Sequence, residues 1–325
     1  MPFYSPQPTQ PTFVLLADAG EPVVEGVAPR PEPLRAVLLL GEAIPAADAP
    51  TRKRRPSLLR DAEAVDLQTR RLRHVCRLLL RDRAPYCPVN GVFALVPMAA
   101  TAVPEDATET AEVLRHDLEA ARAALQIECP RFVVLCDAEQ LPGFAELARN
   151  FPERATGPRW VLGQNYPLLP DVPPPQVPGM IESGLAWVAD TLLPVVVGGL
   201  WRREGEADIS DRAAAVEANV QLYSFLGACR RRLSTLARLA GRAVHGEQGA
   251  PMLGGCYLAG TGPDGDRDQA FLAGVVRLAI EQQNSVRWTG DALADDAAYR
   301  WYARVGYALL LTFAVVVAAM LWAWW

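Results

Sequence analysis

The last twenty-one residues, Val305 to Trp325, carry no charged side chain. As a helix at about 1.5 Å per residue they would reach roughly 31 Å, enough to cross the hydrocarbon core of a bilayer. Arg300 and Arg304 stand just before the run, and Trp322, Trp324 and Trp325 crowd its far end. Arginines hold their flank on the cytoplasmic side and tryptophans favour the interfacial zone. The expectation is a C-terminal transmembrane helix over Val305 to Trp325, single-pass, with the N-terminal bulk cytoplasmic. Met1 to Gln10 offers proline and polar residues where a signal peptide would need a basic start and an apolar centre. A second apolar stretch, Met180 to Trp201, is interrupted by Glu182, Asp190 and Pro194 and is not expected to span.

The 304 residues before the run read as globular. Half of the whole chain is hydrophobic and 21% is charged, which excludes a fully disordered polypeptide. Thirty-seven acids against 32 bases give a formal charge of −5, against the basic excess of a general nucleic-acid binder. The six cysteines are too few and too scattered for a disulfide scaffold and fit a reducing compartment.

Four regions follow from the patterning. Residues 1–60 are proline-rich, with two short apolar runs, Thr12 to Ala17 and Leu34 to Leu40, that read as buried strands. The basic stretch Arg52 to Arg55 reads as a solvated linker. Residues 61–165 read as an α/β module. Its first helix, Asp61 to Arg83, sets Val65, Leu72, Val75 and Leu79 on one face and Arg70, Arg73, Arg77 and Arg81 on another. A strand over Pro88 to Val96, a helix over Pro104 to Gln126 and a strand over Arg131 to Cys136 give the order of a parallel sheet with crossover helices. Residues 166–300, beyond a proline-dense loop at Pro167 to Pro178, read as mainly helical. Helices are expected over Gly179 to Leu192 and Ile209 to Ala243. The second carries an apolar seam of Leu222, Leu226, Cys229, Leu233, Leu236 and Ala240, with Arg230, Arg231, Arg232 and Arg238 off it. A glycine-flanked strand, Leu253 to Thr261, and a helix over Asp268 to Gln282 lead to the membrane segment.

Catalytic and metal signatures are sparse. No C-x-x-C or H-x-x-x-H spacing occurs, so neither a zinc site nor any other metal is expected. The cysteines lie in or beside apolar runs, as buried free thiols do. Cys76 and His74, two apart on one helix, do not face each other. A P-loop needs glycines that wrap phosphate followed by a lysine, and the only lysine is Lys53, inside the basic linker. Asp18-Ala19-Gly20, directly after the first apolar run, has the form of the D-x-x-G switch turn of P-loop proteins, without a phosphate cradle to serve.

The blocks PVNGVFALVP (Pro88 to Pro97) and CPRFVVLCDAEQLPGF (Cys129 to Phe144) resemble the IcmF/TssM family, inner-membrane proteins of the type VI secretion system. The resemblance continues at LGGCYLAGTG (Leu253 to Gly262), through AFLAGVVRLAIEQQNSVRWT (Ala270 to Thr289), and into a membrane helix. It implies a degenerate P-loop-GTPase-like parallel sheet, a helical domain and a C-terminal transmembrane helix. Aligned on the shared L-P-G-F, Cys136 stands at the Thr of the family's T-K-x-D guanine motif, Asp137 at the Lys and Glu139 at the Asp. An acid therefore replaces the lysine that stacks on guanine. Asp18, Gly20, Asp137 and Glu139 are then vestigial nucleotide-motif positions, and no bound cofactor is expected. The family's two N-terminal membrane helices and large periplasmic domain have no counterpart, so a truncated form is expected.

On that resemblance the chain is a non-catalytic structural or docking component of a secretion membrane complex in the bacterial inner membrane. Its partners would be a DotU/TssL-like membrane protein and baseplate components, met through the arginine-bearing helices around Arg73, Arg77 and Arg81 and around Arg230 to Arg232. Two alternatives stand beside it. One is a GTPase- or ATPase-like subunit completed by a separately encoded P-loop fragment. The other is a tail-anchored adaptor unrelated to secretion.

Overall fold

The computed structural model describes residues 13–16, 38–39, 62–84, 86–150, 160–166, 174–201, 209–244, 252–261 and 269–324. The linker at 52–55, with Lys53, lies outside them, as do Asp18 and Gly20.

Two short strands come first, β1 (Phe13–Leu16) and β2 (Leu38–Leu39), inside the two apolar runs near the N-terminus. The amphipathic stretch from residue 62 forms α1 (Ala62–Arg83). β3 (Gly91–Pro97) follows, then α2 (Pro104–Leu125), which begins on a proline and has Glu105 and Asp106 in its first turn, where the helix dipole favours acids. α2 stops at Gln126, which takes the left-handed conformation at φ 59°. The chain then makes β4 (Ile127–Glu128) and β5 (Arg131–Cys136).

Short α3 (Phe144–Asn150) and β6 (Leu162–Asn165) lead into a helical excursion. It consists of α4 (Val177–Trp187), a π turn at Val188–Leu192, α5 (Leu193–Gly198) and the 36-residue α6 (Ile209–Val244). The helix expected to end near Leu192 thus continues. Pro194 cannot donate to the carbonyl of Asp190, and the π turn absorbs that missing bond instead of breaking the helix. The remaining elements are β7 (Leu253–Leu258), β8 (Gly260–Thr261), β9 (Gln269–Ala270), α7 (Leu272–Glu281), β10 (Arg287–Trp288) and α8 (Gly290–Trp324).

The main sheet has the order β2-β1-β3-β5-β7-β6. Every neighbouring pair is parallel except β6 with β7. The region expected to be mainly helical over 166–300 thus contains β7, a central strand of the sheet, and its long helices lie in sequence between the adjacent strands β6 and β7. Its apolar seam joins the sheet's own core: Leu222, Phe225, Cys229, Leu233 and Leu236 cluster with Ala94, Val133 and Cys256.

Alternation along the strands divides the sheet into two apolar faces. Val92, Ala94 and Val96 of β3 point to the side covered by α1, α2, α4 and α6. Phe93, Phe132, Val134 and Tyr257 point to the other side, where α7 supplies Val275 and Ala279. Each large side chain fully buried this way contributes on the order of 1.5–3 kcal/mol. α4, the π turn and α5 together are long and apolar enough to cross a membrane, and about a third of their apolar window is buried, with Ile181, Leu185, Val188, Leu193 and Val197 in the core.

Candidate functional site

Open α/β sheets bind ligands at the carboxyl ends of their parallel strands. In this chain those ends carry the residues singled out from the guanine-motif comparison. β5 ends at Cys136, and Asp137 adopts φ 63° before a 3-10 turn that contains Glu139. The amide of Ala138 donates to the carbonyl of Ala259 beyond β7 at 3.1 Å, tying the two strand ends together. Gly143, at φ 78°, lets the backbone pass so close to α6 that a Cβ there would sit 2.0 Å from the carbonyl oxygen of Gln221.

Aromatic packing fills the space above. Phe144 stacks 6.2 Å from Phe225 of α6 and meets Phe271 edge-on at 6.4 Å. All three rings are buried, as are Met98, Ala100 and Leu141 around them. Beside β5, the edge that holds a ligand in related architectures is thus packed with hydrocarbon, while Asp137 and Glu139 stay partly exposed. β1 runs parallel to β3 with Leu16 beside Ala94, so it points to the same edge. Asp18 and Gly20 lie outside the described residues, and their relation to Asp137 and Glu139 is not defined.

The cysteines behave as core residues. All six are free and buried. Burial raises the thiol of Cys76 to about 12 and that of Cys129 to about 12, while Cys87 rises to about 11, where the carbonyl of Val89 and the charge of Arg83 partly oppose the shift. Cys229 and Cys256 are pushed higher still by the same cause. None of these five can supply a thiolate near neutral pH. Cys76 points inward while His74 is exposed, so the two do not meet. Among the described residues no three His, Cys, Asp or Glu side chains converge as a metal site would require.

The arginine faces separate into free and occupied sets. Arg73, Arg77 and Arg81 are exposed on α1, with Arg81 beside its neighbour Asp82 at 3.1 Å and Arg70 paired to Asp66 at 2.7 Å. On α6, Arg230 pairs with Asp190 of the π turn at 2.9 Å, with both side chains still more than half exposed. Arg242 likewise reaches across to the hydroxyl of Thr108 at 3.0 Å. Arg231 stays exposed and Arg232 is half-buried. An open cleft of about 390 Å³ separates α3 from α6, lined among others by Gly143, Arg149, Glu217 and Gln221.

At the opposite, amino-terminal edge of the sheet, a polar junction holds the start of α8. Arg287 and Trp288 of β10 pair antiparallel with Glu128 and Ile127 of β4. The Glu128 carboxylate accepts from Arg122 at 2.9 Å and from Arg287. Burial works against the charged form of Glu128, but the hydrogen bonds from the two arginines prevail and hold its pKa below the usual glutamate value. Thr289, buried, donates its amide to the carbonyl of Gln126 at 3.0 Å. Its hydroxyl accepts from the amide of Ala292 at 3.2 Å, the bond of a helix N-cap. Ala292 and Asp296 are buried at the foot of α8, and Asn90 beside β3 donates to the carbonyl of Gln283 at 3.2 Å. The helix that carries the uncharged run from Val305 therefore begins fifteen residues before it, at Gly290. Thr289 escaped the sequence reading, although a threonine followed by Gly-Asp before a helical run is a start signal.

An α/β body joined to an exposed apolar helix long enough to cross a bilayer has the outline of a membrane-associated protein. The comparison with family models makes that outline specific: the IcmF-related N-terminal domain matches residues 66–292, more than half of the chain. The chain belongs to the IcmF-related family, whose members are membrane-associated components of secretion complexes. No curated protein and no solved structure gives a significant match.

Proposed function

We propose that the chain is a non-catalytic docking component of a type VI secretion membrane complex, anchored in the bacterial inner membrane by a single pass with its bulk in the cytoplasm. The observation that carries this reading is α8. Its apolar half is exposed along its whole length, with Leu309, Leu310, Leu311 and Phe313 all open to the surroundings. A surface of that size is stable only in lipid or against other apolar helices. Family membership supports the secretion assignment. The hydrocarbon-filled carboxyl edge, with an acid at Asp137 in the lysine position, supports a pseudo-GTPase sheet that keeps the topology and has lost the ligand. The exposed Arg73, Arg77 and Arg81 of α1, and Arg230 and Arg231 of α6, are the docking residues of choice for a DotU/TssL-like protein or a baseplate component.

Two measurements test this. The protein should stay with membranes through alkaline carbonate washing, and affinity capture from detergent extracts should recover other secretion-complex proteins. Release into the supernatant, or repeated capture without such partners, overturns the reading. Micromolar binding of GTP or ATP to the purified chain would favour a nucleotide-binding subunit instead.

A further inference from the structure

We infer that Tyr299, Trp301 and Tyr302, with Arg300 and Arg304, form a girdle that binds phospholipid headgroups and holds the body at a set distance above the bilayer. The inference rests on α8 being a membrane helix.

The three aromatic side chains are 69%, 59% and 63% exposed within a single turn of the helix. Trp301 and Tyr302 meet edge-on at 5.3 Å, presenting one broad amphipathic surface. Rings of this kind favour the headgroup layer, where the apolar body is shielded and the polar tip stays wet. Their position is continuous with the apolar run, since the uncharged segment begins at Val305, directly after Arg304. Arg300 is held by buried Asp296 at 2.7 Å yet remains half-exposed, and Arg304 is exposed. Both lie where cations meet lipid phosphate.

Above the girdle the chemistry reverses. Asp291 and Asp295 are exposed on the first turns of α8, and carboxylates are repelled by anionic headgroups. The acids thus mark a segment that stays in water, and the aromatic and arginine residues mark the segment that does not. Gly290 to Tyr299 spans about 14 Å at 1.5 Å per residue. That spacer is helical throughout and starts at the Thr289 cap, itself bonded to Gln126 of the body. With no break between body and girdle, the depth of the girdle sets the height of the body.

The test uses the full chain in vesicles of phosphatidylglycerol and phosphatidylcholine. Nitroxide labels are placed by Ala294→Cys, Ala303→Cys or Leu309→Cys, the native thiols being buried. Collision with oxygen and with a water-soluble nickel chelate reads depth. Position 294 should read as aqueous, 303 as headgroup and 309 as hydrocarbon. Trp301→Ala with Tyr302→Ala should shift the 303 reading by about one helical turn, 5.4 Å. A headgroup reading at 294, or an unchanged depth in the double variant, overturns the girdle while leaving the membrane helix intact. An aqueous reading at all three positions overturns the membrane reading itself.

Discussion

The two ends of the sheet have been put to opposite uses. At the carboxyl end, where α/β sheets ordinarily leave room for a ligand, Phe144, Phe225 and Phe271 close the space with rings. At the amino end, usually a region of stability alone, Glu128, Arg122, Arg287 and Thr289 build a polar junction that receives the long apolar helix α8. One end is closed by packing and the other holds a helix in place.

That contrast can be broken at several points. The largest effect is expected at the closed end. Phe225→Ala should cost about 3–5 kcal/mol, because the cavity opens among fully buried rings. Thermal unfolding in detergent micelles would read it, and a loss below about 1 kcal/mol would mean that the edge is not a packed core. At the polar end, Glu128→Gln should cost about 1–3 kcal/mol, because it removes the charge two arginines share and turns one of their two acceptor oxygens into a donor.

The same carboxylate gives a pH dependence with a defined sign. Its folded pKa is depressed, so its contribution is complete above the ordinary glutamate value, roughly 4.3. The contribution is lost as pH falls through the depressed folded value. Stability of the native chain should therefore drop between about pH 4.5 and lower pH, and more steeply than that of Glu128→Gln. Equal slopes would show that the junction is not charge-assisted. Smaller again, Thr289→Ala should remove the cap of α8 at a cost of about 1 kcal/mol. Deuterium exchange should show that loss as faster opening of Ala292 and Leu293, with the sheet unaffected. Last, Arg77→Ala should change stability by less than about 0.5 kcal/mol, since the side chain is exposed. Its effect should appear in partner capture instead.

Elements with a strong period were legible from sequence alone. The strand expected over Arg131 to Cys136 occupies those residues, and α6 follows its apolar seam. The burial of Cys76 opposite exposed His74 also follows from helical geometry. Other features carried no local signal. β6 consists of Leu-Gly-Gln-Asn, a segment without alternation or β-branched residues, and it is a strand because β7 offers it an unpaired edge. The ion pair of Arg230 with Asp190, forty residues earlier in a π turn, had no local signal either. The foot of α8 was hidden because Asp296 and Arg300 satisfy each other one turn apart. Such a pair reads in sequence as an ordinary wet helix. For the candidate site, the aromatic closure joins residues 144, 225 and 271. Only the fold brings those together.

The strand order has a consequence for synthesis. β7 lies between β5 and β6, yet it is made long after both, so β6 waits without a neighbour until residues 253–258 exist. Translation at about 5–20 residues per second then brings the first residue of the apolar run, Val305, within seconds of the last strand. Completion of the sheet and delivery of the nascent chain to the bilayer are thereby compressed into the same short interval.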